Sequence, residues 1–198
     1  MRDEISPTTH AEDSRKPDDD VDLVSRARAG DSDALEALIR KYQRWVFTLA
    51  YRMLGDRADA EEMAQEIFLK VYRALGRFKG EARFSTWLYR IATNHCLNHL
   101  ESRRRRVRSE SNPGHPVEQV SDPTPRPDDV VERADVRELV QQALLRLTPE
   151  HRTILILREL QGLAYQEIGE LLGIESGTVR SRLHRARLEL KERLKPHR

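Results

Sequence analysis

The sequence has few of the features that mark secreted or membrane-spanning proteins. Cys96 is the only cysteine among 198 residues, so neither an intramolecular disulfide nor a cysteine-rich zinc site can form. No apolar run approaches the ~18 residues of a membrane-spanning helix. The acidic N-terminus lacks the apolar segment of a secretory signal. We therefore expect a cytoplasmic protein without direct membrane contact.

Sequence motifs typical of enzymes are also missing. The seven histidines are scattered, without the spacing of metal ligands. The sequence contains no phosphate-binding loop and no Gly-x-Ser-x-Gly elbow. The sequence therefore predicts a protein that acts by binding, is not an enzyme and needs no metal or other cofactor.

The net charge is small, but the charges are unevenly distributed. The formal total is +2. Acidic residues dominate residues 1–20, whereas basic residues concentrate at 103–108 and between Arg180 and Arg198. Local basic surfaces of this kind are what electrostatic binding to nucleic-acid phosphates requires.

Hydrophobic periodicity and proline usage predict an all-α protein made of two small helical domains. Residues 1–20 are predicted to be a disordered acidic tail, and residues 21–101 to form the first domain. Residues 102–127 carry five of the nine prolines and are predicted to be a linker. Residues 128–198 then form the second domain.

Turn and cap residues predict where the helices begin and end. Ser32 is expected to cap a long helix that closes at Gly55, and the next helix is expected to end at Leu75. A further helix is predicted to run from about Ser85 to Leu100. In the second domain, Thr148 before Pro149-Glu150 is a typical helix start.

A helix-turn-helix is predicted from Leu163 to Arg187. Gly173 lies where the chain must leave the first helix with a positive φ. In the second helix, apolar spacing predicts a buried face, and the opposite face carries Arg180, Ser181, His184 and Arg185. Such a helix fits the DNA major groove, where arginine reads guanine. A solvated helix in a plain bundle is the alternative.

Two further surfaces are predicted in the first domain. The helix that ends at Leu75 is predicted to expose a mostly acidic face. This face is formed by Asp59, Glu62, Gln65, Glu66 and Leu69. This face is either solvated or a docking surface for a basic partner helix. The following loop and helix contain Phe78, Lys79, Arg83, Phe84, Trp87, Arg90, Asn94 and Asn98. Such residues form single-strand binding sites, although core packing is the alternative for the three aromatic residues.

In this order, the three segments resemble bacterial sigma factors of the extracytoplasmic-function (ECF) group of the sigma-70 family. Residues 59–75 are similar to the family's polymerase-binding helix, and residues 78–94 to its promoter-melting segment. Residues 165–187 are similar to its reader of the upstream promoter element. The resemblance covers about residues 22–100 and 128–194.

The resemblance implies a protein that brings core RNA polymerase to promoter DNA. The acidic face would bind the clamp helices of the polymerase β′ subunit. The aromatic and basic segment would melt the minus-ten element, and the recognition helix would read the minus-thirty-five element. The polymerase β flap and an anti-sigma factor are further partners that the resemblance suggests. A stand-alone dimeric helix-turn-helix regulator and an all-helical adaptor are the competing hypotheses.

Three positions of the helix-turn-helix depart from the family's usual pattern. Ala164 stands where a capping serine is frequent, and Glu175 stands at a second such position, with Ser176 expected to act as the cap instead. Gly169 replaces the more usual alanine, at a helix cost of about 1 kcal/mol. These departures predict a locally less stable motif with the same role.

Overall fold

The computed structural model describes residues 20–110 and 132–195, which are helical and contain no β-strand. The predicted acidic tail up to residue 19, linker residues 111–127 and residues 196–198 lie outside the described residues. The helices are α1 (Val21–Arg28), α2 (Ser32–Leu54), α3 (Arg57–Leu75), α4 (Phe84–Glu110), α5 (Glu132–Leu145), α6 (Pro149–Leu155), α7 (Tyr165–Leu172) and α8 (Ser176–Leu194). A π-helical segment, Ile156–Leu160, continues α6. The all-α prediction is confirmed.

Local chemistry sets the two ends of α2. Asp31 Oδ1 accepts hydrogen bonds from the backbone N–H groups of Asp33 and Ala34 at 2.9 and 3.1 Å. Asp31 is therefore the cap, and the predicted cap Ser32 is instead the first helical residue. At the other end, Gly55 adopts a φ of 87°, which only glycine adopts at little cost.

Helix α4 is longer than the sequence predicted. The predicted end was Leu100, with a linker from residue 102, but the helix continues to Glu110. Glu101 and Arg105 form an i,i+4 ion pair of 2.8 Å on this extension. Residues 101–106 are exposed, so an apolar stripe is not needed there. Hydrophobic periodicity consequently gave no signal that the helix continues.

Helices α1 to α4 enclose the core of the first domain. Its largest fully buried side chains are Leu49, Met53, Met63, Ile67, Phe84 and Leu88. Each such side chain contributes about 1.5–3 kcal/mol when removed from water. Cys96 belongs to the same core, and burial raises the pKa of its thiol to about 12. The thiol is therefore uncharged and unreactive at neutral pH, as its position on the buried stripe predicted.

Helices α5 to α8 enclose a second core. Its buried members include Leu144, Ile154, Leu157, Ile168, Leu171, Val179, Leu183 and Ala186. Val179, Leu183 and Ala186 form the predicted buried face of α8. Leu190, the fourth predicted member, is half-buried. The recognition helix is thus held against its own domain by one face, which leaves the opposite face at the surface.

The two domains pack directly against each other. Ile156 of the π-helical segment belongs to the core of the first domain. In return, Tyr89 of α4 packs on the core of the second domain. The ring of Trp45 lies against Tyr89, with ring centroids 4.0 Å apart. Each domain thus contributes side chains to the core of the other.

Arg152 is a buried charge at this domain boundary. Its guanidinium donates to the carbonyl oxygens of Leu144, Leu145 and Leu147 near the end of α5, at 2.9, 2.6 and 3.2 Å. It also donates to the carbonyl oxygen of Met53, near the end of α2. Burial lowers the pKa of Arg152 to about 10, so the group stays cationic at neutral pH. Carbonyls at helix C-termini carry partial negative charge and stabilise it there.

Candidate nucleic-acid and partner interfaces

The five residues predicted on the docking face of α3 point in two directions. Glu66 Oε2 lies 2.6 Å from Nε2 of His95, and Asp59 Oδ2 lies 3.4 Å from Arg103. Both carboxylates therefore face α4, and Glu62 is exposed. Gln65 and Leu69 lie on the opposite side of α3, toward α2. The predicted face is consequently divided between a side whose carboxylates contact α4 and an open side.

An apolar groove of about 1010 Å³ lies between α2 and α3 on that open side. Its apolar lining consists of Leu35, Ile39, Phe47, Ala64, Phe68, Leu69 and Tyr72. Leu69 and Tyr72 are 53% and 63% exposed. Of these apolar residues, Leu69 is the one that the sequence predicted at the surface. An exposed apolar groove with charged residues at its edge is typical of a protein-binding surface.

The strand-binding face predicted on α4 is present at the surface. Arg90, Asn94 and Asn98 are exposed and recur at i, i+4 and i+8, so they share one face of the helix. Trp87 is half-buried at the start of the same helix. In the preceding loop, Lys79 is exposed and Arg83 is half-buried. Cations, amides and one partly exposed aromatic ring are therefore brought together.

Phe78 and Phe84 belong to the predicted strand-binding set but are buried, which agrees with the core-packing alternative for these two rings. They are 8% and 2% exposed, and their ring centroids lie 6.0 Å apart. Trp87 lies 5.0 Å from Phe78 and 5.7 Å from Phe84. The two phenylalanines thus form the packing that supports Trp87.

The recognition face of α8 is exposed along its length. Arg180, Ser181, His184 and Arg185 all lie at the surface. Arg187 differs from them, because its Nε and a terminal nitrogen donate to Glu159 at 3.0 and 2.5 Å. These hydrogen bonds raise the pKa of Arg187. Arg187 therefore fixes α8 against the π-helical segment, and the other four side chains are available to a ligand.

The turn between α7 and α8 depends on close backbone packing. A Cβ atom on Gly169 would lie 2.7 Å from the carbonyl oxygen of Ile174, whose N–H donates to the carbonyl of Gly169 at 2.9 Å. Glycine at this position is therefore a requirement of the turn, and not the weakness that helix propensity predicts. Gly173 adopts the expected positive φ, 66°.

The helix caps of the motif are weaker than its turn. Ala164 has no side-chain acceptor, but Glu167 Oε2 accepts its backbone N–H at 2.7 Å, which is one half of a capping box. Ser176 was predicted to cap α8. That prediction is wrong, because Ser176 is the first helical residue. Glu175 holds the cap position and makes no side-chain cap hydrogen bond.

We expect Gly169→Ala to lower the free energy of unfolding by about 1–2 kcal/mol. The added methyl group meets a backbone carbonyl that cannot move without opening the turn, and this overpacking outweighs alanine's better helix propensity. Denaturant unfolding measures the effect. Gly177→Ala is the matched control, because no atom lies within 4 Å of its added Cβ. An equally stable Gly169→Ala protein would contradict the packing argument.

The fold defines a two-domain helical protein of the helix-turn-helix class, with an exposed basic face on α8. Comparison with known proteins identifies the family. Residues 38–106 match sigma-70 region 2, and residues 137–190 match sigma-70 region 4. The chain belongs to the sigma-70 family, within the ECF group, and directs promoter-specific transcription initiation by RNA polymerase. The predicted family is confirmed, and a stand-alone regulator is not favoured.

Relatives from distant bacteria match nearly the whole chain. The RNA polymerase sigma-H factor of Pseudomonas aeruginosa is 38% identical over 182 residues, which cover 89% of this chain and 94% of that protein. The ECF RNA polymerase sigma-E factor of Escherichia coli is 34% identical, with 88% and 93% covered. The ECF factor SigW of Bacillus subtilis is 32% identical, with 87% and 95% covered.

Two solved structures share the fold. The sigma factor RpoE of Bartonella quintana, in complex with the anti-sigma factor NepR, superposes with a TM-score of 0.64 at 24% identity. That match covers 82% of this chain and 98% of RpoE. CnrH, in complex with the cytosolic domain of CnrY, gives a TM-score of 0.63 at 22% identity, with 91% and 99% covered. In residues 20–110 and 132–195, no helix is long and apolar enough to cross a membrane.

Proposed function

We propose that this sigma factor divides its work among three surfaces in one chain. The α2–α3 groove binds the clamp helices of polymerase β′, the α4 face holds the melted minus-ten element, and α8 reads the minus-thirty-five element. The observation that supports this division is the exposure of all three surfaces on separate helices. The chain would act by binding alone, in the cytoplasm, without bond-making chemistry.

Polymerase docking is proposed to rest on the apolar groove more than on the acidic face. Gln65 and Leu69 line the groove, and Glu62 adds an exposed negative charge beside them. Asp59 and Glu66 already have cationic or imidazole partners on α4, so they contribute at the edge. Exposed ion pairs add little free energy, whereas burial of Leu69 and Tyr72 under a partner helix removes large apolar surfaces from water.

A second, smaller groove is proposed for the polymerase β flap. It lies between α6, the π-helical segment and α8, and its lining residues are Leu155, Glu159, Arg187, Leu190, Lys191, Leu194 and Lys195. An amphipathic helix could place its apolar side on the leucines and its acidic side near the lysines. The relatives RpoE and CnrH were solved with NepR and CnrY bound. An anti-sigma factor is proposed to compete for the same two grooves.

Strand binding is proposed to use Trp87, Arg90, Asn94 and Asn98, with Lys79 and Arg83 on the backbone phosphates. Trp87 offers a ring held in place by Phe78 and Phe84. Removing a base from the duplex costs a few kcal/mol of stacking free energy. Contact with an aromatic ring recovers about 1–3 kcal/mol for each base. The two asparagines provide the hydrogen bonds that select the captured base.

The combined variant Asn94→Ala with Asn98→Ala is expected to slow promoter opening about tenfold or more. Each substitution removes a side chain that would hydrogen-bond to a captured base, at about 1 kcal/mol per bond. Permanganate reactivity of thymines in the minus-ten element measures opening. A template with a pre-formed mismatch bubble should recover most of the rate. An unchanged rate of promoter opening on duplex DNA would show that the side chains of Asn94 and Asn98 do not belong to the strand-binding site.

The proposed function is tested by selection from a random promoter pool with core RNA polymerase. The expected result is a two-part motif enriched among transcribed sequences, together with a stable complex between the protein and the polymerase. Transcription that does not exceed that of core polymerase alone would contradict the proposal. Tight binding of the free protein to palindromic sites would support a stand-alone regulator instead.

A further inference from the structure

A row of three side chains connects the predicted docking face of α3 with α4. The ring of His95, on α4, lies between Glu66 and Lys70 of α3. Its Nε2 is 2.6 Å from Oε2 of Glu66, and its Nδ1 is 2.8 Å from Nζ of Lys70. The side chain of His95 is only 14% exposed, whereas that of Glu66 is 49% exposed. The carboxylate is therefore held by a mostly covered ring and stays open to a partner.

The hydrogen-bond partners assign the protonation state of His95. The ammonium group of Lys70 can only donate a hydrogen bond, so Nδ1 accepts it. A neutral imidazole carries a single N–H, which is consequently on Nε2 and is donated to Glu66. Both neighbours thus favour the same neutral tautomer. In this state the ring orients the carboxylate of Glu66 and leaves its negative charge uncompensated by the imidazole.

A second proton on His95 would change both contacts. The imidazolium ring has an N–H on each nitrogen, so its Nδ1–H would oppose the ammonium group of Lys70 and that hydrogen bond would be lost. The ring would also become a cation beside Glu66 and offset its charge. Imidazole is the side chain that changes charge between about pH 5 and 8. The negative charge that Glu66 offers to a partner therefore depends on a proton bound to α4.

The ring of His95 has few other charged neighbours. His99 lies one turn further along α4, and Arg103, two turns further, pairs with Asp59 of α3 at 3.4 Å. In residues 20–110 and 132–195, the ring makes no hydrogen bond or ion pair beyond those with Glu66 and Lys70. The protonation of His95 is thus felt first at the docking face.

We propose that His95 is a positioning residue for polymerase docking: its neutral ring presents the Glu66 carboxylate to a basic group of the polymerase, and its protonated ring competes with that group. The inference rests on the proposed role of Glu66 at the docking surface. Because the partner's cation and the proton on His95 oppose each other, docking favours the neutral ring. By linkage, the affinity for polymerase rises as the pH is raised and the ring loses its proton.

The dissociation constant for core polymerase, measured with the full-length protein by fluorescence anisotropy at about pH 8 and about pH 6, tests this proposal. The wild-type constant should be about fivefold larger at the lower pH, since a charge beside an exposed carboxylate changes its pairing modestly. His95→Gln should bind as the wild type does at the higher pH and lose the pH dependence, because its amide donates to Glu66 without titrating. His95→Lys should bind weakly at both pH values.

His99→Gln is the matched control. It removes another imidazole from the same helix and leaves His95 in place, so its pH dependence should equal that of the wild type. Titrating groups on the polymerase affect every variant alike and cancel in the comparison. The wild type and His95→Gln decide the question even if His95→Lys does not fold.

Long-range 1H–15N nuclear magnetic resonance of the free protein examines the ring without the polymerase. The expected state at the higher pH is a neutral His95 with its proton on Nε2. A proton on Nδ1 would overturn the inference, and so would an equal pH dependence of binding in the wild type and His95→Gln while the polymerase complex forms. Absence of a polymerase complex for the wild type at either pH would contradict the proposed function itself, and with it the docking role of His95.

Discussion

Leu69→Arg is expected to raise the dissociation constant for core RNA polymerase roughly thirtyfold. Leu69 is 53% exposed and lines the apolar α2–α3 groove. If a partner helix covers this groove, the substitution replaces an apolar anchor with a cation that must lose its hydration in the interface. Loss of an anchoring residue at the centre of an interface costs about 2 kcal/mol or more, and 1.4 kcal/mol corresponds to tenfold in affinity.

Fluorescence anisotropy with purified core polymerase measures this effect. Val21→Arg is the matched control, because Val21 is 65% exposed but lies on α1, outside the groove. Circular dichroism should show that both variants keep the wild-type helix content. Equal affinities of the Leu69→Arg variant and the wild type for core polymerase would show that the groove is not the docking site. A large loss for Val21→Arg would show that any added surface cation disturbs binding.

The combined variant Arg180→Ala with Arg185→Ala is expected to reduce transcription from a promoter with an intact minus-thirty-five element on the order of a hundredfold. Both guanidinium groups lie on the exposed face of α8. A bidentate arginine–guanine contact provides about 1–3 kcal/mol of discrimination, and losses at separate positions add approximately. Affinity for core polymerase should remain unchanged, since neither arginine lines the α2–α3 groove or the groove proposed for the β flap.

Two comparisons make this second experiment decisive. On a template with a scrambled minus-thirty-five element, the double variant and the wild type should transcribe equally weakly. Arg193→Ala provides the control on the same helix, because Arg193 forms only an exposed ion pair of 3.5 Å with Glu189. Loss of polymerase binding in the double variant would argue against separate roles for the two domains.

The recognition helix shows how far periodicity alone predicts a site. Val179, Leu183 and Ala186 are buried and Arg180, Ser181, His184 and Arg185 are exposed, as the spacing predicted. The prediction succeeds because one helix has only one face to cover, and its own sequence specifies which face is apolar. The same reasoning gave the ends of α2 at Gly55 and of α3 at Leu75, where local turn chemistry decides.

At other positions two local solutions were equally available, and only the structure shows which one is adopted. Asp31 and Ser32 are both good cap residues, and backbone geometry selects the aspartate. Phe78 and Phe84 suit either a strand-binding loop or a core, and both are buried in the core of the first domain. Glu66 was predicted on a face that is either solvated or a docking surface, and its carboxylate lies 2.6 Å from His95, 29 positions later in the chain. Its role in docking stays a prediction.

By itself, the sequence determined the all-α class, the helix-turn-helix, the family and the residues that face outward on α8. These properties depend on interactions within a few helical turns. Tertiary structure alone decided the α2–α3 groove, the contacts with α4 that divide the face of α3 and the contacts between the two domains. The bond between Gln161 and Trp45 joins residues 116 positions apart. No local pattern encodes such a contact, because it depends on how two separately formed domains fit together.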